Sequence, residues 1–264
     1  REALAQWLRS LHGPRAPGPA ELFLCASTSE AYGWIFKLLC SPGEAVLVPK
    51  PGYPLFDYLA GLEGVEAKSY RLWYSHPKGW SVDLESLETG LKDGRTKAIV
   101  LINPNNPTGS YIKPQERAAI VGLASRYGAA LIVDEVFYGF PLEAGGRSSF
   151  HGEEGVLTFV LDGLSKLLGL PQMKLGWIAL SGPRVEIEVA GGRLEIIADT
   201  YLSAGTTAMR ALPAWLGTVP AFQAGLGDRL GANLSALRSI LEGPASPHRV
   251  LRCEGGWTAL IESP

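Results

Sequence analysis

The sequence predicts an α/β chain: a mostly parallel sheet flanked by helices, followed by the start of a small α+β domain. Three observations carry that reading. Short apolar runs recur at residues 98–102, 129–133 and 156–161, each of strand length and bounded by polar or turn-forming residues. Between the first two, residues 114–127 have a helical pattern that opens on Pro114, a favoured first helical residue. Glycine (32) and proline (19) are frequent among 264 residues, as the tight turns of an alternating chain require. Strand, loop, helix and strand form a βαβ unit, so the two strands run parallel and end at the same edge. Ligands bind at that edge of an open sheet. Asn106, in NPNNPTG (103–109), and Asp134, closing the second apolar run, both belong there. Taken alone, each is equally explained as a loop residue that caps a turn.

The other elements follow from the same patterns. Residues 1–11 read as the end of a helix with Leu4, Trp7, Leu8 and Leu11 on one face, and 12–20 as a Pro/Gly linker. Residues 21–25 form a strand. ASTSE (26–30) then opens a helix carrying Tyr32, Ile35, Phe36 and Leu39. Ser27 and Glu30 fit a capping box; alternatively, the first-turn amides with the Thr28 and Ser29 hydroxyls hold a phosphate. Both uses can coexist. Residues 45–48 are a strand, and 49–54 a rigid loop whose Tyr53 reads as a tyrosine packing its ring on the core. A helix through Phe56, Leu59 and Leu62 precedes a strand at 66–70. Residues 73–91 read as an irregular surface segment anchored by Trp80, Val82, Leu84, Leu87 and Leu91.

Residues 141–155 are a loop, and 173–180 a strand that is apolar except for Lys174. Val185, Ile187 and Val189 alternate, leaving 185–195 open between strand and helix. Residues 200–216 hold Ser203, Thr206 and Thr207, small polar residues suited to a site or to a partner subunit. From Phe222 to Leu241 apolar residues recur every three or four positions, giving a long one-sided helix. A break at 243–247 precedes two short strands around Glu254-Gly255-Gly256-Trp257. The expected organisation is an N-terminal segment ending at residue 20, a large domain over 21–240, and the start of a small domain over 241–264.

Composition narrows the function. With 24 basic and 26 acidic residues the formal charge is −2, and no charge run is sustained, which argues against a nucleic-acid footprint or membrane surface. The apolar runs are far too short to span a bilayer. Cys25, Cys40 and Cys253 match neither a zinc spacing nor an even disulfide framework, so we expect buried thiols in a reducing, cytoplasmic setting.

Chemistry enters at Lys166, which follows the third apolar run through Asp162, Gly163, Leu164 and Ser165. A lysine there is a surface residue at a strand end, or an amine placed to form an imine. Desolvation lowers a lysine's pKa and supplies a nucleophilic amine. An acid for a pyridine nitrogen, a lysine for an aldehyde and a helix N-terminus for a phosphate are what pyridoxal phosphate requires.

NPNNPTG (103–109), DEVFYG (134–139), LSK (164–166) and KLGW (174–177), in this order and spacing, resemble the class I/II aminotransferases of the aspartate aminotransferase fold. The resemblance runs from about Glu21 to Pro264. It implies the large domain of a pyridoxal 5'-phosphate-dependent transferase in which Lys166 forms the Schiff base and Asp134 pairs with the ring nitrogen. It further implies that Asn106 donates to the ring's phenolic oxygen, Tyr53 lies against the ring, and Ser27, Thr28, Ser29, Ser165 and Lys174 serve the phosphate. The implied reaction transfers an amino group from an amino acid to a 2-oxo acid. β-Elimination or decarboxylation on the same cofactor, and an aminotransferase-like regulatory domain, are the alternatives. A homodimer is implied too, with Trp7 and Trp34 expected on its surface.

Three departures stand out. Where the family has a tyrosine three residues past the aspartate, this chain has Phe137, with Tyr138 one step later; the imine should therefore be more basic. The family serine three residues before the lysine is Gly163, and the phosphate-binding arginine is Lys174, a point charge in place of a planar fork. Weaker cofactor binding is the expectation. The arginine that anchors the substrate carboxylate, and the segment that closes over the substrate, are expected outside these residues.

Overall fold

The computed structural model describes residues 1–264. It begins with α1 (Glu2–His12), β1 (Leu22–Cys25), α2 (Thr28–Leu39), β2 (Ala45–Lys50), α3 (Phe56–Leu62) and β3 (Glu66–Ser75). Then come β4 (Gly79–Val82), α4 (Leu84–Leu91), β5 (Thr96–Ile102), α5 (Pro114–Tyr127), β6 (Ala130–Asp134) and β7 (Thr158–Gly163). The rest is α6 (Leu164–Leu167), β8 (Gly176–Ser181), α7 (Arg184–Thr200), α8 (Thr206–Leu216), α9 (Val219–Leu241), β9 (Arg249–Val250) and β10 (Ile261–Glu262).

Eight strands make one sheet in the order β1-β8-β7-β6-β5-β2-β3-β4. The run from β7 to β3 is parallel, whereas β8 is antiparallel to both β7 and β1, and β4 to β3. β9 and β10 pair separately. The α/β class and the mostly parallel sheet are therefore as the sequence predicts.

Alternate strand residues feed two cores, one on each face of the sheet. Leu131, Val133 and Val160 point to one; Ile132, Phe159 and Leu161 to the other. α1, α4, α5 and α8 cover the first face through side chains such as Leu4, Leu87, Ile120 and Leu212. α2, α3 and α7 cover the second through Trp34, Ile35, Phe56 and Leu194. Both faces are buried under helices, which explains why the central strands read as continuous apolar runs. Each fully buried Leu or Ile contributes roughly 1.5–3 kcal/mol.

Several expectations need correction. Residues 73–91 are not an irregular surface segment: β3 continues to Ser75, pairs with β4 from Leu72↔Val82 to Ser75↔Gly79, and α4 follows, capped by Asp83 accepting from the Ser86 amide at 3.0 Å. The short hairpin strand β4 carries too few alternating residues to signal itself. Residues 185–195, left open between strand and helix, lie within α7, whose Ala190 and Leu194 face the core with Ile187 packed beside them while Val185 and Val189 are exposed. Trp34 does not lie on the surface but is 2% exposed. Trp7 packs edge-on against Trp177 at 6.3 Å. Both tryptophans have intrachain roles.

Candidate active site

The carboxyl edge of β5, β6 and β7 opens into a cavity of about 260 Å³. The parallel register pairs Ile102 with Asp134, so the loop after β5 and the end of β6 emerge side by side. Asn106 and Asp134 line the cavity. The loop is held by its own polar groups: Asn105 Oδ1 accepts from the Thr108 hydroxyl at 3.0 Å, and the Gly109 amide donates to the Asn105 carbonyl at 2.8 Å. Gly109 sits at φ +70, where a Cβ would stand 2.4 Å from Cys253 Sγ; only glycine lets residues 253–255 pass so close.

The next wall is the first turn of α2. Ser27 caps it, accepting from the Glu30 amide at 3.2 Å, while Glu30 Oε2 takes the Ala26 amide at 2.6 Å. The capping box is thus present, its return bond shifted one residue outward. Ser27, Thr28 and Ser29 all line the cavity, so a helix N-terminus, with its free amides and positive dipole end, faces the space. Ser165 and Lys166, in the short α6 directly after β7, also line the cavity, as does Tyr53 from the loop after β2.

Eight of the nine site residues singled out from sequence line this one cavity; Lys174 does not. It is exposed, with positive φ (+49), at the end of a short 3-10 turn. Four hydroxyl-bearing residues, Ser27, Thr28, Ser29 and Ser165, line the cavity without it. Tyr138, considered a substitute for the family tyrosine, is absent from the lining as well. Its carbonyl accepts the Tyr111 hydroxyl at 2.9 Å and its ring lies 5.2 Å from the Arg147 guanidinium. Phe137 lines the cavity in its place.

Asp134 has the electrostatics of a site acid. Burial pushes its carboxyl up to about 6, against the opposing pull of the Val136 amide, the Tyr32 hydroxyl and the Lys166 charge. Oδ1 accepts from Val136 at 3.2 Å and Oδ2 from Tyr32 at 3.3 Å. A buried carboxylate with an amide and a phenol as its donors suits a cationic N–H brought into the cavity. Lys166 Nζ lies 5.9 Å from the Phe137 ring centre and 5.7 Å from that of Trp257. An amine, an acid and an anion cradle around one ring-sized space fit the demands of pyridoxal phosphate.

Sequence reasoning missed Tyr32 as a residue of the cavity lining and Trp257 as a neighbour of Lys166. The signal for Tyr32 was a hydroxyl on an otherwise apolar helix face. Trp257 gave none, because only the fold brings residue 257 back over Lys166.

A family model described as aminotransferase class I and II matches residues 1–249. Among curated proteins, nicotianamine aminotransferase 1 of Oryza sativa subsp. japonica is 33% identical over 172 residues, covering 64% of this chain and 34% of that protein. S-alkyl-thiohydroximate lyase SUR1 of Arabidopsis thaliana is 34% identical over 189 residues, covering 69% of this chain and 39% of that protein. The chain thus spans well under half the length of these relatives. Among solved structures, alanine aminotransferase from Pyrococcus furiosus superposes with a TM-score of 0.85 at 25% identity, covering 96% of this chain and 63% of that one. Cystalysin from Treponema denticola, whose crystal structure contains pyridoxal 5'-phosphate, shares the fold at a TM-score of 0.87 and 17% identity, over 98% of this chain and 66% of that one.

Proposed function

Because the chain belongs to the class I and II aminotransferases, we propose that its cavity takes pyridoxal 5'-phosphate and that the whole protein moves an amino group from an amino acid to a 2-oxo acid. One observation carries the proposal: Asp134, Lys166 and the N-terminal turn of α2 line the same cavity.

When bound, the cofactor supplies an aldehyde that condenses with amines and a pyridinium ring that accepts an electron pair from the substrate carbon. Asp134 holds a proton on the ring nitrogen, since an opposite charge in a buried site favours the protonated ring. Tyr53 offers an aromatic face to that cation. Asn106 donates to the phenolic oxygen without help from position 137, because Phe137 has no hydroxyl. Ser27, Thr28, Ser29 and Ser165, with the α2 amides, hold the phosphate. Lys166 would be the amine that holds the cofactor through its aldehyde. Its free amine would serve as the base that moves a proton at the substrate α-carbon, a role worth roughly 10²–10⁴ in rate.

The test is an absorbance scan of the full-length protein with added pyridoxal phosphate, followed by screening of amino acids. Wild type should develop visible absorbance and turn over; Lys166→Ala should do neither. Turnover retained by Lys166→Ala would sink the assignment.

The likeness to a lyase gives a second reading, β-elimination of a sulfur leaving group at the same site. Cysteine as substrate separates the two: sulfide and ammonia point to elimination, amino transfer to an added 2-oxo acid points to transamination. A homodimer and a cytoplasmic location belong to the proposal too, the second resting on three free thiols. No helix is long and apolar enough to cross a membrane.

A further inference from the structure

Tyr32 lies on the face of α2 that packs against the sheet, among Ile35, Phe36 and Phe56, and is 1% exposed. Its ring is fixed by Phe56 at 5.3 Å, edge to face, and by Phe36 at 5.9 Å. A phenol buried this deeply costs stability unless its hydroxyl finds a partner. The partner is Asp134, 102 residues away, whose Oδ2 accepts the hydroxyl at 3.3 Å. Apolar packing on α2 therefore fixes where a hydrogen-bond donor stands, and the donor meets the one carboxylate at the head of β6 that lines the cavity.

We propose that Tyr32 is a positioning residue for Asp134: its hydroxyl anchors one carboxylate oxygen and draws off part of the negative charge, so that a proton shared with a heteroaromatic nitrogen stays on the nitrogen. This rests on the reading that Asp134 meets the ring of pyridoxal phosphate. The charged and titratable groups around Asp134 are Tyr32 from α2, Tyr53 from the loop after β2, Lys166 from α6 and Asp162 from β7. Lys166 is the cation among them, and in the loaded enzyme its amine is engaged with the aldehyde. Tyr32 is then the side-chain donor that continues to offset the carboxylate. Without its hydroxyl, Asp134 becomes the stronger base and draws the proton toward itself. A less positive ring raises the pH at which the amine bound at the aldehyde loses its proton.

The experiment compares wild type, Tyr32→Phe, Asp134→Asn and the double variant, each loaded with pyridoxal phosphate. Tyr32→Phe keeps the ring and its packing. The readouts are the pH midpoint of the visible absorbance change, the dissociation constant of the cofactor, and the thermal midpoint of the cofactor-free protein. The proposal expects Tyr32→Phe to raise the pH midpoint by about one unit and to weaken cofactor binding about tenfold. The cofactor-free thermal midpoint should shift little, and Tyr32→Phe should add nothing in the Asp134→Asn background. Should Tyr32→Phe match wild type in midpoint and affinity, move the midpoint downward, or act equally in the Asp134→Asn background, the proposal is overturned while the cofactor reading stands. If wild type itself takes up no pyridoxal phosphate, both fall together.

Discussion

Asn103 Nδ2 donates to Glu135 Oε1 at 3.1 Å across the ends of β5 and β6, with both side chains buried. The pair joins three segments. Asn103 Oδ1 accepts the Ile112 amide at 3.0 Å and its Nδ2 reaches the Ser148 carbonyl at 2.9 Å. Glu135 accepts the Ser149 hydroxyl at 2.7 Å and the Phe150 amide at 3.0 Å. Asn106 and Asp134 are thus mounted on a network that faces away from the cavity. The asparagine and acid that do no chemistry hold in place the two assigned to it.

Removing Glu135, a buried acceptor, should be costly. Glu135→Ala strands the buried donors of Asn103, Ser149 and Phe150, with an expected loss of about 2–4 kcal/mol. Glu135→Gln gives a different result, because burial pushes the carboxyl up to about 7 from an ordinary 4.5. The fold therefore keeps a proton that the unfolded chain releases. The resulting stability is complete below about pH 4.5 and lost as pH rises through about 7, a change on the order of 3 kcal/mol. Glutamine cannot ionise, so its chemical-denaturation midpoint should fall less than wild type over that interval. Parallel profiles for the two proteins would refute the assignment.

Gly163 explains one departure from the family. A Cβ there would stand 2.9 Å from the Gly176 Cα and 3.0 Å from the Leu175 carbonyl oxygen, both backbone atoms of the adjacent chain. β7 and β8 pair glycine with glycine at this point, Gly163↔Gly176, and close up accordingly. Gly163→Ser should not restore a phosphate donor; it should force the strands apart and destabilise by about 1–3 kcal/mol. Thermal melts and cofactor titration of that variant are the check. A serine variant as stable as wild type that binds pyridoxal phosphate more tightly would show the space to be there.

How far the sequence spoke depended on whether the cause was local. The βαβ unit was readable because each strand is apolar on both faces and gives way to a polar residue, Asn103 after β5 and Asp134 at the end of β6. Ser27, Thr28 and Ser29 were readable from helix-start chemistry. Lys174 lies outside the cavity lining, exposed and left-handed at the end of a short 3-10 turn, a backbone state that spacing along the chain does not encode. Trp257 and the Tyr32–Asp134 bond depend on contacts between residues about 90 and 102 apart, and no periodicity encodes those.

The His12–His151 stack should tilt stability the opposite way from Glu135. The rings lie 4.2 Å apart at 29°, joining the last turn of α1 to the loop before β7. Burial lowers His12 to about 4 and His151 well below its usual range, the second aided by His12 itself. His151 Nδ1 is buried with no hydrogen-bond partner, so a proton there would be uncompensated. As pH falls below about 6.5 the unfolded chain takes up protons that the fold refuses, and stability drops until about pH 4, where His12 is protonated in place. His12→Phe keeps a stacking ring without the proton site. Its denaturation midpoint should therefore decline less than wild type between pH 6.5 and 4, whereas Glu135→Gln should differ from wild type mainly between 4.5 and 7. In the shared window, from 4.5 to 6.5, the two groups oppose each other, so the variants must bend the profile in opposite senses. If both bend it the same way, the protonation states assigned to one of them are wrong.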